Sequence, residues 1–527
     1  MKKHLAGLCA LLGLLTGLRA AELPPGLGDF DAYVARVQQE FAVPGVAVAI
    51  VKDGEVVLAK GYGVRELGKP EPVDARTLFA IASNTKAFTA AGLAILMDES
   101  KVAWGDRVIE RLPWFRMSDP YVTHEMTVRD LLTHRSGLAL GAGDLLFWPE
   151  TDLTTREVVE RLRFVPLATS FRADYAYDNI LYAAAGLLIE EISGKKWGDF
   201  MRERVFVPVG MTDTLANCLA LPPGANVATG HAKYDFAELK PVAPLAWDNA
   251  SAAGGIYSNA QDMAKWVRVQ LAGGRLPAGP EGKEVVLFAE ARQKEMWSLV
   301  TPMKISEPKI EALKVVRPNF LGYGHGWSLS DYRGRKLVAH TGGWPGQVSK
   351  VTLVPELKLG VVVLTNQEAG AAFQALSWRV LDAYFGAPET DWVAAYAELV
   401  KTAAAESDDS WAKHVVARDA VSTPSLPVAK YAGIYRDVWR GDVFITEKDG
   451  KLALNFSRTA KLAGDLEHWQ HDTFIVRWHD RSHNADAFVT FALTPDGAID
   501  QVRMEAISPL TDFSFDFHDL VLKPVGK

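Results

Sequence analysis

The chain has 527 residues, of which 48% are hydrophobic and 23% are charged, close to the composition of soluble globular proteins. This composition excludes a mainly disordered or fibrous chain, and the length allows several domains. The formal net charge of −7 makes nucleic acid and anionic membrane surfaces poor candidate partners.

The N-terminus has the parts of a secretory signal peptide. Lys2 and Lys3 precede an apolar stretch over residues 5–18, which is too short to span a bilayer, and small residues follow at 20–21. An amphipathic anchor is the alternative, but this stretch has no polar face. A lipid anchor is not expected either, because the residue before Cys9 is too large for a lipoprotein cleavage site. We therefore expect an exported protein, in the periplasm or outside the cell.

An exported protein with this sequence depends on its hydrophobic core. After removal of the signal peptide, Cys218 is the one remaining cysteine, so no internal disulfide can form. No later apolar run reaches 18 residues, and we expect no integral membrane segment in the mature chain.

Strand patterns lie at both ends of the first 385 residues. The runs VAVAIV and VVLAKGYG, between residues 46 and 63, are joined by Asp53-Gly54, a strong β-hairpin signal. Further strand patterns follow at 337–340, 350–355 and 359–366.

The segment between these strands has helical patterns. Residues 81–98 carry apolar and small residues at helical spacing and contain no proline, which predicts a buried helix. Residues 105–245 are helical and irregular, with one amphipathic run over 180–192 that stops at Gly194. We therefore predict an α/β (α+β) fold class, with an antiparallel sheet flanked by helices and a mostly helical subdomain.

The character of the sequence changes after residue 385. Residues 391–405 predict a helix, and residues 406–427, rich in Ser, Asp, Thr and Pro, predict a linker. Beyond Tyr431, short alternating runs separated by turns at Asp449-Gly450 and Asp496-Gly497 predict a small antiparallel β-barrel or sandwich.

A serine and a lysine, Ser83 and Lys86, open the buried helix. Residues three apart on a helix share one face, so a desolvated, neutral lysine can take the proton of the serine. The helix N-terminus adds N–H groups where an oxyanion would form. The same spacing begins at Ser193, Ser306 and Ser410, but there the lysine would stay exposed and protonated. Ser83 alone precedes an apolar helix that can bury its lysine, so it is the preferred nucleophile.

Two further motifs carry polar groups suited to acyl transfer. In Tyr177-Asp178-Asn179 the phenol can shuttle protons, and the amide can hold a substrate carbonyl or orient the lysine. A second match, Tyr257-Ser258-Asn259, fits a turn and a helix start better. His340-Thr341-Gly342-Gly343 ends a predicted strand, whose edge offers N–H groups to an acyl oxygen.

Other histidines are not expected to bind a metal. His134, in THRSG, is expected to be a structural hydrogen-bonding residue near the site rather than a base. Four histidines in the β-rich tail have a spacing that matches no standard zinc site: His468, His471, His479 and His483.

The motifs Ser-x-x-Lys, Tyr-x-Asn and His-Thr-Gly occur in this order, and with them the chain resembles the serine β-lactamase and D,D-peptidase superfamily. It is most similar to the class C β-lactamase branch, which includes peptidases and esterases. Surrounding runs such as LLTHRSGL (131–138) and HTGGWPGQVS (340–349) agree. The resemblance covers about residues 30–385, and the tail from about 427 is similar to a lipocalin-like C-terminal domain.

The sequence patterns and this resemblance together divide the chain. We expect a signal peptide at 1–20, a β-lactamase-like serine hydrolase domain at 21–385, a helix and linker at 386–426, and a lipocalin-like β-barrel domain at 427–527.

The resemblance also implies roles for the motif residues. Ser83 would be the nucleophile, Lys86 the partner that activates it, and Tyr177 a second general base and acid. The N–H groups of Ser83 and Gly343 would form the oxyanion hole. The residues implied to contact the substrate or its oxyanion are Asn179, His340, Thr341 and Gly343.

His340 departs from the lysine that often begins the third motif, and this variant is common in peptidase and esterase members. A histidine with a pKa near 6.5 is mostly neutral at pH 7, so we do not expect strong selection for a substrate carboxylate.

The sequence therefore predicts an exported, cofactor-free and metal-free serine hydrolase that forms an acyl-enzyme on Ser83. A peptidase acting on a small peptide is preferred, and a carboxylesterase or a β-lactamase are the alternatives because the same acylation machinery serves all three. A catalytically silent binding or sensing protein is the alternative of another class, and the intact Ser83, Lys86 and Tyr177 argue against it. The sequence leaves the oligomeric state open.

Overall fold

The structure is a computed structural model that describes residues 23–277 and 285–526. The expected signal peptide at 1–20 lies outside the described residues. Within the described ranges, every helix is too short or too polar to cross a membrane.

An eight-stranded sheet forms the centre of the first domain, and all neighbouring strands pair antiparallel. In spatial order its strands are Glu55–Gly63, Gly45–Lys52, Leu359–Thr365, Gln347–Val354, Arg335–Trp344, Ser328–Tyr332, Leu321–Tyr323 and Thr301–Pro302. The hairpin turn at Asp53-Gly54 has φ angles of +52° and +84°, as the favoured two-residue hairpin turns require. The predicted sheet, begun early and completed late in the chain, is confirmed.

Helices cover both faces of this sheet, and the strand Gly45–Lys52, second from one edge, is therefore apolar on both sides. Val48 belongs to one hydrophobic cluster and Ala49 to the other. The helices on the Val48 side are Phe30–Phe41, Gly370–Phe385 and Trp392–Ala417. The longer helices on the Ala49 side are Thr85–Asp98, Ile180–Ser193 and Ala260–Leu271.

Short helices and turns make up much of residues 105–245, as the sequence predicts for a mostly helical subdomain, and of the described residues on either side of it between 99 and 300. The shorter helices of these stretches are Val108–Arg111, Pro120–Glu125, Val128–Leu131, Thr155–Glu160, Trp197–Met201, Val207–Val209, Ser251–Gly254 and Glu290–Met296. Two small strand pairs accompany them: Phe79–Ala80 with Tyr257–Ser258, and Gly230–Tyr234 with Glu238–Val242.

The C-terminal strands form a second eight-stranded antiparallel sheet that curls into a nearly closed barrel. In spatial order its strands are Ile499–Ala506, Ala487–Leu493, Thr473–Trp478, Ala463–Gln470, Lys451–Phe456, Gly441–Lys448, Gly433–Asp437 and Lys523–Pro524. A bridge between Val502 and Leu522 links the first strand to the segment that enters the last one. The expected lipocalin-like β-barrel is confirmed.

The expected linker at 406–427 is wrong over its first half, because the helix Trp392–Ala417 continues through it. Asp408 and Asp409 are exposed on this helix, while Ser407 is half-buried and its hydroxyl lies 3.0 Å from that of Ser508 in the C-terminal domain. Trp411 lies over Trp469 with ring centroids 5.2 Å apart, and His414 contacts Phe488 at 5.1 Å. Tertiary packing outweighs the polar composition that suggested a flexible segment.

Candidate active site

Ser83 lies in a tight turn, Ala82–Asn84, that leads directly into the helix Thr85–Asp98. Ala82 has a φ of +47°, a left-handed conformation that is uncommon for a residue other than glycine. Ser349 of the sheet fixes this turn, since its hydroxyl donates to the Ile81 carbonyl (2.7 Å) and accepts from the Asn84 amide (2.8 Å). The turn that presents Ser83 is thus strained locally and held by the sheet.

Lys86, the second residue of this helix, is fully buried. Its Nζ lies 3.0 Å from Ser83 Oγ, 2.7 Å from Asn179 Oδ1 and 2.9 Å from the Ala253 carbonyl oxygen. Within the described residues no carboxylate lies within ion-pair distance of it. Desolvation lowers the pKa of Lys86 to about 7, although Asp144 and Asp178 oppose the shift. Near neutral pH a large fraction of Lys86 is therefore neutral and able to take the Ser83 proton.

Tyr177 faces both of these residues. The Lys86 Nζ lies 4.8 Å from the centre of its ring. Desolvation raises the pKa of the Tyr177 phenol well above its usual value, and a hydrogen bond with Ser83 opposes the shift. The ring of His134 lies 4.3 Å from that of Tyr177, and His134 Nδ1 accepts the N–H of Asp178 at 3.2 Å. Tyr177 is thus a neutral phenol held in place by a buried histidine.

Asn179 connects Lys86 to a buried acid that sequence analysis missed. Its Nδ2 donates to Asp144 Oδ2 at 2.8 Å, while its Oδ1 accepts from Lys86. The same Asp144 oxygen accepts from the hydroxyl of Ser514, which belongs to the C-terminal domain, at 2.9 Å. Desolvation raises the pKa of Asp144, which weakens the charge that would keep Lys86 protonated.

A second acid from the C-terminal domain holds the loop that carries Asp144. Asp516 accepts the backbone N–H groups of Gly143 (2.7 Å) and Leu145 (3.2 Å). Ser514 and Asp516 are more than 300 residues from Asp144 in sequence, and a single serine or aspartate carries no periodic pattern. No sequence signal could have assigned them to the site.

His340 lies in the strand Arg335–Trp344, with both ring nitrogens hydrogen-bonded. Its Nδ1–H donates to the Thr341 carbonyl (2.6 Å), and its Nε2 accepts from the Tyr323 hydroxyl (2.7 Å). Desolvation and then the charge of Lys86 lower the pKa of His340 to about 3. The residue is therefore neutral throughout the physiological pH range, as the sequence suggested.

The two glycines of this strand, Gly342 and Gly343, have different surroundings. A Cβ on Gly342 would lie 2.2 Å from the Ile81 carbonyl oxygen, so only glycine lets the strand approach the Ser83 turn this closely. A Cβ on Gly343 would meet nothing within 4 Å and would project into open space. Pairing with the strand Ser328–Tyr332 ends at Ala339, which leaves one edge of the motif open. A substrate backbone could lie along this edge.

Ser83, Tyr177, Asn179 and the His340 motif line one cavity of about 330 Å³. The structure therefore brings together every residue that the sequence proposed for the site. The volume is at the lower end of the roughly 300–1,000 Å³ typical of small-molecule sites.

The competing motifs lie elsewhere. Lys196, paired in sequence with Ser193, is 81% exposed and forms an ion pair with Glu190 (2.9 Å), so it lacks the burial that distinguishes Lys86. Asn259 caps the helix Ala260–Leu271 through the N–H of Asp262 (2.8 Å). Over residues 23–277 and 285–526, no group of three or more His, Cys, Asp or Glu side chains is arranged to hold a metal ion.

We expect Asp144→Ala to lower kcat/KM by about 10- to 100-fold, because it leaves the amide of Asn179 without its buried partner. Asp144→Asn, which retains an acceptor oxygen, should keep much more activity. Ser514→Ala removes one donor from the same oxygen and should have a smaller effect. Steady-state kinetics with thermal melting as a control tests this, and wild-type kcat/KM in Asp144→Ala would show that Asn179 needs no anchor.

Comparisons with known proteins identify the family of each part of the chain. The β-lactamase family model matches residues 30–385, and a domain of unknown function, DUF3471, matches residues 417–524. An unguisins hydrolase of Aspergillus violaceofuscus is 28% identical over 495 residues, covering 89% of this chain and 86% of that protein. Penicillin-binding protein 4 of Amycolatopsis lactamdurans is 29% identical over 363 residues, covering 65% of this chain and 85% of its own.

Solved structures have the same fold. The octameric penicillin-binding protein homologue from Pyrococcus abyssi matches 94% of this chain and 100% of its own, with a TM-score of 0.58 and 20% identity. The D-amino acid amidase from Ochrobactrum anthropi, complexed with D-phenylalanine, matches 69% of this chain and 98% of its own, with a TM-score of 0.55 and 25% identity. Because the family model spans more than half of the sequence, this chain belongs to the β-lactamase family of serine hydrolases.

Proposed function

We propose that the protein is an exported serine hydrolase that forms an acyl-enzyme on Ser83 and cleaves amide bonds of small peptides. The assignment of Ser83 as the nucleophile rests mainly on one observation. Lys86 lies 3.0 Å from Ser83 Oγ, is fully buried, and has a pKa lowered to about 7 by desolvation. A serine next to a lysine that can be neutral is an activated nucleophile.

In the first half of the reaction, neutral Lys86 takes the proton of Ser83 as Oγ attacks the substrate carbonyl carbon. The N–H groups of Ser83 and Gly343 stabilise the oxyanion of the tetrahedral intermediate. Collapse of this intermediate breaks the C–N bond. The leaving nitrogen receives a proton from the Tyr177 phenol. Tyr177 then takes from Lys86 the proton that Lys86 accepted from Ser83, so both side chains are again in their starting protonation states.

In the second half, water attacks the acyl carbon. The Lys86 and Tyr177 pair accepts a proton from this water and returns one to Ser83 Oγ, which releases the acid product. Asn179 orients Lys86 and the substrate amide, and the open edge of the strand at Thr341 holds the acyl segment. In this proposal the hydrolase domain is 21–385, and the helix and linker at 386–426 join it to the barrel domain at 427–527.

Amide substrates are preferred because the similar D-amino acid amidase acts on amides, as its name states. Esterase and β-lactamase activities use the same acylation steps and are the alternatives. A binding protein without turnover is the alternative of another class.

Labelling with a fluorophosphonate, followed by mass analysis, tests the proposal, and we expect the adduct on Ser83. Turnover of L- and D-peptides, p-nitrophenyl esters and nitrocefin then ranks the three activities, with peptide amides expected to have the highest kcat/KM. Absence of both labelling and turnover would favour a binding protein, and a preference for nitrocefin would favour a β-lactamase.

We expect His340 to act as a neutral hydrogen-bonding residue. His340→Gln should therefore keep much of the activity, since burial and Lys86 already hold the pKa of His340 near 3. The measurement is kcat/KM for a free-acid peptide and its amide across pH 5.5–9, in wild type and in His340→Lys. A steep wild-type preference for the free acid that disappears above pH 7 would contradict the neutral role.

A further inference from the structure

The C-terminal domain supplies part of the cavity wall. The cavity that Ser83 lines is also lined by Asp512, Phe513 and Ser514. These three residues belong to the segment that follows the strand Ile499–Ala506. Among the described residues that line the cavity, Asp512 is the single carboxylate, and none is a lysine or an arginine. A ligand in this cavity therefore meets one acidic group in the same wall as the nucleophile and no lysine or arginine there.

Asp512 has no cationic partner of its own. Its Oδ1 accepts the backbone N–H of Ser514 at 2.9 Å, and within the described part of the chain no Lys, Arg or His nitrogen lies within 4.0 Å. Desolvation and, to a lesser degree, the charge of Asp512 raise the pKa of Glu368 to about 7, so a second acidic group rather than a cation lies nearby. Desolvation raises the pKa of the Asp512 carboxyl, and an opposite charge brought by a ligand would stabilise its ionised form.

Aromatic side chains form much of the remaining wall. Trp148, Tyr175, Tyr177 and Trp247 line the cavity, and Phe513 lies against Tyr177 with ring centroids 5.9 Å apart. The faces of aromatic rings attract cations, and the attraction is stronger where water is excluded. A carboxylate among aromatic rings is therefore suited to an ammonium group.

The segment that carries Asp512 is firmly attached to the hydrolase domain. Ser514 donates to Asp144, and Asp516 accepts the N–H groups of Gly143 and Leu145. A Cβ on Gly141 would lie 2.8 Å from the Phe513 carbonyl oxygen, so the two backbones are in close contact. The position of Asp512 relative to Ser83 is thus determined by several contacts on both sides of it.

We propose that Asp512, with the surrounding aromatic rings, binds an ammonium group of the substrate, so that substrates carry a free amine close to the scissile carbonyl. Amino-terminal residues of short peptides and amino acid amides or esters have this chemistry. A substrate carboxylate in the same place, as in a penicillin, is repelled. The inference rests on the proposed acyl-enzyme at Ser83 and assigns its substrate class.

The test compares an amino acid p-nitroanilide that has a free α-amine with its N-acetyl derivative, in both D and L forms. Wild type should have the higher kcat/KM for the free amine by at least about 10-fold, as expected for one charge-assisted hydrogen bond. Asp512→Asn should reduce this ratio by about 10- to 100-fold. Asp496→Asn, an exposed turn residue of the same barrel, is the matched control and should leave the ratio as in wild type.

Equal hydrolysis of both substrates by wild type would overturn the inference, as would an unchanged ratio in Asp512→Asn. Fluorophosphonate labelling of wild type separates this failure from that of the proposed function. The label reacts with an activated serine whether or not an amine is recognised. A labelled Ser83 without an amine preference contradicts the role of Asp512 alone, and an unlabelled Ser83 contradicts the acyl-enzyme itself.

Discussion

Ser83→Ala should lower kcat/KM by more than about 10³-fold while leaving the fold intact. The change removes one oxygen from a cavity and leaves the hydrophobic core untouched. Without Oγ no acyl-enzyme can form, and Lys86 and Tyr177 have no proton to transfer. Residual hydrolysis would come only from the oxyanion-binding groups and from orientation of the substrate.

The matched control for this variant is Ser193→Ala. Ser193 begins a second Ser-x-x-Lys sequence, but its lysine, Lys196, is exposed and ion-paired with Glu190. We expect wild-type kinetics from this variant. Circular dichroism and thermal melting establish that both variants are folded. Acylation of Ser83→Ala at the wild-type rate would place the nucleophile elsewhere, and loss of activity in Ser193→Ala would point to that serine.

The parts of the structure that sequence could predict are those that leave a local pattern. The hairpin at Asp53-Gly54 needs two residues with positive φ, and the sequence provides them. The burial of Lys86 follows from the apolar residues that come after it on the helix Thr85–Asp98. Both features depend on neighbours in sequence, so spacing alone is informative.

The parts that sequence could not predict depend on contacts between the two domains. In the sequence nothing distinguishes Asp144 from the other acidic residues. Its place in the site is defined by its hydrogen bonds with Ser514 and Asn179 in the folded protein. The helical extension over 406–417 likewise needs the barrel surface that Trp411 covers. In both cases the deciding partner lies far away in sequence, and folding brings it close.

These contacts also give the barrel a place in the active site. In the proposed mechanism, residues of the hydrolase domain supply the groups that form and break bonds, while Ser514 and Asp516 hydrogen-bond to the loop behind Asn179. In the proposed function the acylation chemistry belongs to the hydrolase domain, and the inferred recognition of an amine belongs to the barrel segment. Substitutions in the barrel segment should change kcat/KM ratios between substrates more than they change stability.

Lys86 is expected to act as a general base, and two substitutions separate this role from that of a structural cation. Lys86→Ala removes the amine, and Lys86→Arg keeps a positive charge that cannot be released near neutral pH. Both should lower kcat/KM by about 10²- to 10⁴-fold, the usual contribution of a positioned base. If Lys86 acted only through its charge, the arginine variant would keep most of the activity.

The pH profile gives the second measurement for the same residue. Desolvation lowers the pKa of Lys86 to about 7, so the neutral, proton-accepting form is scarce below this pH and dominant above it. Wild-type kcat/KM should therefore rise between pH 5.5 and 9 with a midpoint near 7, and the rise should be absent from the residual activity of Lys86→Ala. His340, with a pKa near 3, and Tyr177, with a pKa raised well above its usual value, do not titrate in this range. A flat wild-type profile, or an arginine variant with wild-type activity, would show that Lys86 is not the base.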